Sequence, residues 1–212
     1  IKMNIMLTKI THKKELIFLV IVHLAGIIGI KWINTDFFLQ LSFVSLIIPL
    51  VIIIDRMKLT LKSFFLLSIV YSVGFVSEWF GVNGGFIFGD YIYGKSLGFK
   101  VGGVPLLIGL NWLLLTLASR EIAIRFFSSP IFIVLFSALI MLGIDCVIEP
   151  VAHKLDFWSW SENKIPFSNY RDWFIVAVVN QIILIPLKSR KKVFSLALGY
   201  LIILTVFFLC FY

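Results

Sequence analysis

Seven stretches of almost unbroken apolar residues run along the chain, at about 15–33, 37–54, 60–78, 104–119, 130–149, 172–187 and 193–211. Each comes close to the roughly 20 residues that an α-helix needs to cross a bilayer. The pattern predicts an all-α integral membrane protein with about seven transmembrane helices. The sixth stretch is the shortest, bounded by Asp172 and by Pro186-Leu187-Lys188. No linker, low-complexity tract or repeat divides the chain, so residues 1–212 read as a single polytopic domain. Lys2, Lys9, Lys13 and Lys14 before an apolar run to Ile30 resemble the start of a signal peptide. No small-residue cleavage pattern follows Ile30, so the run is expected to stay as the first helix.

Composition supports the same class. Of the 212 residues, 60% are hydrophobic and 14% charged, and Phe alone occurs 22 times. A soluble domain of this size has no interior large enough for that apolar surface. The net charge of +8 is no sign of a nucleic-acid partner, because the basic residues fall in short connections and at helix ends. One set of connections holds Lys2, Lys9, Lys13, Lys14, Arg56, Lys58, Lys62, Arg120, Arg125, Lys188, Arg190, Lys191 and Lys192. The other holds Lys31, Lys95, Lys100, Lys154, Lys164 and Arg171. The richer set is expected in the cytoplasm. That places the N-terminus inside, the C-terminus outside and both long loops at the outer face of the cell's inner (cytoplasmic) membrane. Cys146 and Cys210 lie in apolar helix and suggest neither a disulfide nor a metal framework.

Two stretches break the apolar pattern, and both belong to the outer side. The first runs from Glu78-Trp79-Phe80-Gly81 through Asp90, Tyr91 and Tyr93 to Gly103-Val104-Pro105. The second runs from Asp145 and Glu149-Pro150 through Trp158-Ser159-Trp160 to Asn169, Arg171, Asp172 and Trp173. Asp145 and Glu149 are four apart and share a helix face, with Pro150 expected to end that helix. A carboxylate one turn inside the apolar zone costs a few kcal/mol unless it is protonated or paired. A neutral carboxylic acid is what a proton donor must be. The bland alternative is that one acid pairs with Arg171 or Lys154 and merely fastens the loops. Glu78 is expected to end its span and to sit across the mouth from Asp145, or else to be one more interfacial residue beside an aromatic belt.

The Gly-rich segment around Asp90 permits tight turns and a short extended piece at Tyr91 and Tyr93, but lacks a phosphate-binding pattern. His153 has no matching partner for a metal site. His12 is expected at the cytoplasmic end, and His23, Asn111, Asn180 and Gln181 read most simply as helix-to-helix hydrogen-bonding groups. No flavin, haem or iron signature is visible, so neither a cofactor nor a metal is expected. Acids, tyrosines and tryptophans without a cofactor suit proton-initiated chemistry on an apolar substrate. An acid protonates an alkene, aromatic faces stabilise the tertiary cation and a second carboxylate deprotonates the incoming water.

Taken in order and spacing, Glu78-Trp79-Phe80-Gly81, Phe88-Gly89-Asp90-Tyr91-Ile92-Tyr93, Gly103-Val104-Pro105 with Trp112, Asp145-x-x-x-Glu149-Pro150, Trp158-Ser159-Trp160 and Pro166-Phe167-Ser168-Asn169-Tyr170-x-x-Trp173 resemble the carotenoid biosynthesis membrane proteins. The likeness is to the CruF-type carotenoid 1,2-hydratases, the group that includes bisanhydrobacterioruberin hydratase, and it covers roughly residues 60–185. It implies water addition to the terminal double bond of an acyclic carotenoid end. The residues it carries over are Glu78, Tyr91, Tyr93, Asp145, Glu149, Trp160, Asn169 and Trp173. Asp145 is assigned as acid and Glu149 or Glu78 as water-activating base, with the roles exchangeable. Asp90, Tyr91, Tyr93, Trp112, Trp160, Asn169 and Trp173 are assigned to the substrate. Two departures stand out: Glu149 where the family pattern suggests Asp, and Arg171-Asp172 where it suggests an apolar-Gly pair.

Other readings use the same residues. A carotenoid cyclase or isomerase would need the acid but would add no water. A prenyltransferase would want two Asp-rich Mg²⁺ motifs. A proton-linked transporter would place its acids near the midplane. A non-catalytic carotenoid- or lipid-binding subunit, as an oligomer or in a complex with other membrane proteins, would need no acid chemistry. In each case the expected partners are a long isoprenoid and membrane lipid.

Overall fold

The computed structural model describes residues 12–57, 60–187 and 193–212. Helix α1 (Lys13–Ile28) continues through a π-helical turn at Gly29–Ile33, and α2 (Thr35–Gln40) leads into α3 (Ser42–Met57). Next come α4 (Leu61–Gly84), α5 (Leu106–Phe126), α6 (Pro130–Ala152), α7 (Phe167–Ile183) and α8 (Phe194–Leu209). The result is an all-α membrane protein. Five of its rods, counting α1 with its π turn and α2 with α3, are long and apolar enough to cross a bilayer, and α8 is a shorter apolar helix. Exposed Phe, Leu, Ile and Val side chains stud α1, α3, α4, α6 and α8, as a lipid-facing surface requires.

Contacts at the helix ends show which termini share a face. Arg56 at the end of α3 reaches Glu15 at the start of α1, at 2.6 Å. Lys154 after α6 donates to the carbonyl oxygens of Phe211 and Tyr212 after α8. Lys31 beside the π turn lies over the ring of Phe211. Successive rods therefore run up and down, and the two long loops cover one end of the bundle, here called the cap face. Lys31, Lys95, Lys100, Lys154, Lys164 and Arg171 all belong to that end. Seven of the thirteen residues expected at the opposite end (Lys2, Lys9, Lys58, Lys188, Arg190, Lys191 and Lys192) lie outside the described residues.

The two long loops are tied together. Strand β1 (Tyr91–Tyr93) in the first pairs antiparallel with β4 (Trp158–Trp160) in the second, Tyr91 opposite Trp160 and Tyr93 opposite Trp158. A second ribbon pairs β2 (Lys100–Val101) with β3 (Val104–Pro105). In β1 the two tyrosines are buried and Ile92 is exposed, the alternation expected of a half-covered strand.

Four boundaries differ from the sequence expectation. Helix α4 does not stop at Glu78 but continues to Gly84, where Gly85 at φ +66° supplies the left-handed residue that closes a helix. Glu78 thus lies inside the helix. Pro150 does not end α6, which runs two residues further to Ala152. Only one backbone bond is lost to the proline so near the terminus, and its ring is exposed. Helix α5 continues to Phe126 and carries Arg120 and Glu121 inside the protein, so Arg120 is not a loop residue. Helix α7 begins at Phe167, five residues early, and places Asn169 and Asp172 in its first turns.

Candidate active site

The cap encloses a cluster of three carboxyl groups. Glu78 on α4 is buried, and its carboxylate accepts from Tyr91 Oη at 2.5 Å, Tyr93 Oη at 2.7 Å and Trp112 Nε1 at 3.0 Å. Strand β1 makes this possible, because its period of two aims both tyrosines at the same acid. Both hydroxyls are held above the usual phenol range, by burial first and by the neighbouring Glu78 next. They therefore act as donors throughout the working pH range.

Glu149 on α6 is the second acid. One of its oxygens accepts from Trp158 Nε1 at 3.2 Å and Trp160 Nε1 at 2.8 Å. The other accepts from Asn169 Nδ2 at 2.8 Å. The same amide nitrogen lies 3.2 Å from Asp145, one turn down the helix. Asp145 is fully buried, and its other oxygen has no hydrogen-bond partner. Hydrogen bonds to a charged group are each worth roughly 1.5–3 kcal/mol. Glu78 and Glu149 have three such bonds apiece, which offsets much of the cost of holding them in this interior.

Glu78, Glu149, Tyr91, Tyr93, Trp158, Trp160, Asn111, Asn169 and Trp173 line a chamber of about 20 Å³. A space of that size and polarity holds one water molecule. Trp112 stacks on Trp173 with ring centroids 3.9 Å apart. Directly adjoining is an apolar cavity of about 290 Å³ between α1, α3, α5 and α8. Ile108, Asn111 and Trp158 belong to both walls. The partly exposed Val22, Ala25, Gly26 and Val44 line the same cavity, which thus reaches the lipid-facing side between α1 and α3.

The residues expected from sequence divide accordingly. Glu78, Glu149, Tyr91, Tyr93, Trp160, Asn169 and Trp173 meet at the chamber, and Trp112 holds Glu78 from behind. Asp145 is not on the chamber wall but one layer back, behind Asn169. Asp90 stays outside: it is exposed, and only its backbone oxygen is engaged, accepting from Ser161 N at 3.1 Å. Neither Arg171 nor Lys154 pairs with a site acid. Arg171 binds Asp172 at 2.7 Å, and Lys154 turns to the carbonyls after α8. Of the mid-helix polar residues, Gln181 bonds across to Thr116 O and Ser119 Oγ on α5, whereas His23 donates to Leu19 O of its own helix.

Sequence reasoning missed Trp158 and Asn111 as site residues. The Trp158-Ser159-Trp160 alternation signalled the first, since a strand that points one indole at an acid points the other the same way. No sequence signal distinguished Asn111 from an ordinary helix-packing amide.

The Arg171-Asp172 pair has a structural task. Asp172 is buried and accepts the backbone N–H of Phe88 at 2.9 Å, while Ser168 Oγ donates to Phe88 O at 2.9 Å. Phe88 sits at φ +68°, a conformation that a bulky side chain adopts only when its surroundings impose it. Asp172→Ala should release this turn and cost roughly 1.5–3 kcal/mol. Thermal unfolding with near-ultraviolet circular dichroism of the tryptophans checks it. Arg171→Ala, at an exposed position, should cost far less.

Fold and site together define a multi-pass membrane protein in which an enclosed acid chamber abuts a cavity for an apolar molecule. The family described as carotenoid biosynthesis protein matches residues 35–212, most of the chain, and the protein belongs to that family. No curated protein and no solved structure matches the chain. Membership places it in carotenoid metabolism.

Proposed function

We propose that the protein is a carotenoid hydratase that adds water across the terminal double bond of an acyclic carotenoid end. The observation that carries this reading is the adjacency of the two spaces. A mainly apolar cavity shares the wall of Ile108, Asn111 and Trp158 with a chamber that fits one water among carboxyl groups and indoles. The polyene end enters from the lipid side between α1 and α3 and lays its terminal alkene at Asn111 and Trp158.

Glu78 and Glu149 line the chamber with Asp145 one layer behind, and Arg171 and Lys154 are engaged elsewhere. The three carboxyl groups cannot all be ionised, so a proton is retained among them. Glu149, on the chamber wall, delivers it to the inner, less substituted carbon of the terminal double bond. The positive charge develops on the tertiary carbon, facing Trp160, Trp173 and Tyr91, whose ring faces attract a cation. Glu78, fixed by three donors, deprotonates the water as its oxygen bonds to the cation. The proton gained balances the proton spent, and it returns to Glu149 through the Tyr91 and Tyr93 hydroxyls and the next water to enter the chamber. Asp145 is a positioning residue that acts through Asn169. This revises the expectation that Asp145 itself is the acid, because the chamber wall is made by the two glutamates.

The fold is read as seven passes in the cytoplasmic membrane with the cap face outside, in keeping with the charge pattern of the connections. Gly26→Leu should test the path of the polyene. The first added atom meets only Phe207 at 3.4 Å, so folding is kept while the side chain fills the cavity. The expected result is weaker polyene binding with an unchanged melting temperature.

Expression in a bacterium that makes lycopene, followed by chromatography and mass spectrometry of the pigments, tests the activity. Products heavier by one or two waters support hydration. New retention at unchanged mass would point to cyclisation or isomerisation. Untouched pigment with the protein present in the membrane would count against hydration of this substrate.

A further inference from the structure

Glu149 belongs to two cavities at once. On one side it lines the small chamber. On the other it lines a separate cavity of about 280 Å³ at the cap face, with Trp158, Trp160, His153, Ser159 and Asn163. His153, Ser159 and Asn163 are exposed. Half of the lining is therefore polar or charged, unlike the hydrocarbon wall of the cavity that meets lipid. The partition between vestibule and chamber is thin. It consists of the Glu149 carboxylate and two indoles, and both indoles donate to the same carboxylate oxygen. The other oxygen faces inward to Asn169. Trp158, Trp160 and Glu149 line both spaces.

We propose that the cap-face vestibule is the port through which water and protons reach the chamber, separate from the path of the hydrocarbon. The inference rests on the hydration reading for what the water does, but not for where it enters. The two reactants have opposite solvation demands. A carbocation must meet one water and no bulk solvent, while a polyene must come from lipid. Separate ports converging on one carboxylate meet both demands. In each turnover one water passes inward, its hydrogen and hydroxyl end on the two alkene carbons, and no net proton is consumed. The two indoles act as the gate, since a rotation of either ring away from Glu149 opens the partition and frees the outward oxygen for exchange.

A chemical probe tests this without relying on turnover. In a background with Cys146 and Cys210 changed to Ala, His153→Cys is allowed to fold in the membrane. The vestibule is then filled with a bulky, charged methanethiosulfonate. A water-soluble carbodiimide is applied with and without the filling, and the adduct on Glu149 is measured by mass spectrometry. Filling should lower Glu149 labelling several-fold and leave polyene affinity unchanged. Labelling by the apolar dicyclohexylcarbodiimide, which arrives from lipid, should persist. Equal labelling with the vestibule filled would overturn the proposal, as would labelling by the apolar reagent alone. If polyenes are never hydrated but the labelling pattern holds, the chemistry assigned to the chamber fails and the port stands.

Discussion

Glu149→Gln is expected to lower hydration by about 10²- to 10⁴-fold while polyene binding and the melting temperature stay close to wild type. Gln keeps the shape of Glu and leaves a carbonyl oxygen for the Trp158 and Trp160 indoles, which reach Glu149 at 3.2 and 2.8 Å, while the Asn169 amide turns over to present its oxygen to the new NH2. What it loses is the proton that an acid can give and take back. The loss should therefore appear in kcat rather than in binding. Glu78→Gln should fall in the same range, since the water loses its base, and should also lower the melting temperature, because an amide oxygen turned to Tyr91 and Tyr93 sets its nitrogen against the Trp112 N–H. Asp145→Asn separates this account from the one suggested by sequence. Asp145 touches Asn169 at 3.2 Å and no substrate-facing surface, so its replacement should cost markedly less than either glutamate change. Full turnover in Glu149→Gln would remove that residue from the chemistry, and a greater loss in Asp145→Asn would return the acid's role to it.

The second large effect is on the fold. Gly74→Val is expected to destabilise the protein by about 3 kcal/mol or more, at the upper end of overpacking costs. A side-chain atom at this position would lie 2.4 Å from Trp112 Cβ and 2.5 Å from its Cγ. Trp112 cannot yield easily, being fully buried, stacked at 3.9 Å on Trp173 and bonded to Glu78 at 3.0 Å. Close approach of α4 and α5 through this glycine is what brings Glu78 within reach of the indole, so the variant should lose activity along with stability. Gly143→Ala is the control. Nothing lies within 4 Å of the added carbon, and Ala favours the helix by up to about 1 kcal/mol. A fall in melting temperature for Gly74→Val and none for Gly143→Ala is the expected pattern. Equal behaviour of the two would contradict the packing described for Trp112.

Much of this architecture was legible in the chain. Apolar runs of near-bilayer length locate helices reliably, because lipid leaves the backbone no alternative but to bond within its own segment. Glu149, Glu78, Tyr91, Tyr93, Asn169, Trp160 and Trp173 stood out because polar groups at the edge of such runs need partners. The boundaries were less legible. Pro150 and Glu78 looked like helix ends, but a proline so close to the terminus costs α6 only one bond, and α4 continues to the left-handed Gly85. Arg120 looked like a loop cation, and only packing shows that α5 carries it inside. Nor could spacing along one helix rank Asp145 against Glu149. Both lie on the same face, and what puts Glu149 at the chamber and Asp145 behind it is Asn169, delivered from another helix. The pairing of β1 with β4 was equally hidden, since residues 91–93 and 158–160 are brought together only by the bundle beneath them.

The central claim is that one water from solvent becomes the hydroxyl of a tertiary alcohol on the polyene end, with Glu149 supplying the proton. The most direct measurement gives the purified protein an acyclic carotenoid in water enriched in oxygen-18 and follows the mass of the product. The account predicts an alcohol carrying the heavy oxygen, formed by the wild-type protein and almost absent with Glu149→Gln. A product without oxygen-18, or labelled alcohol formed equally well by the Gln variant, would contradict it.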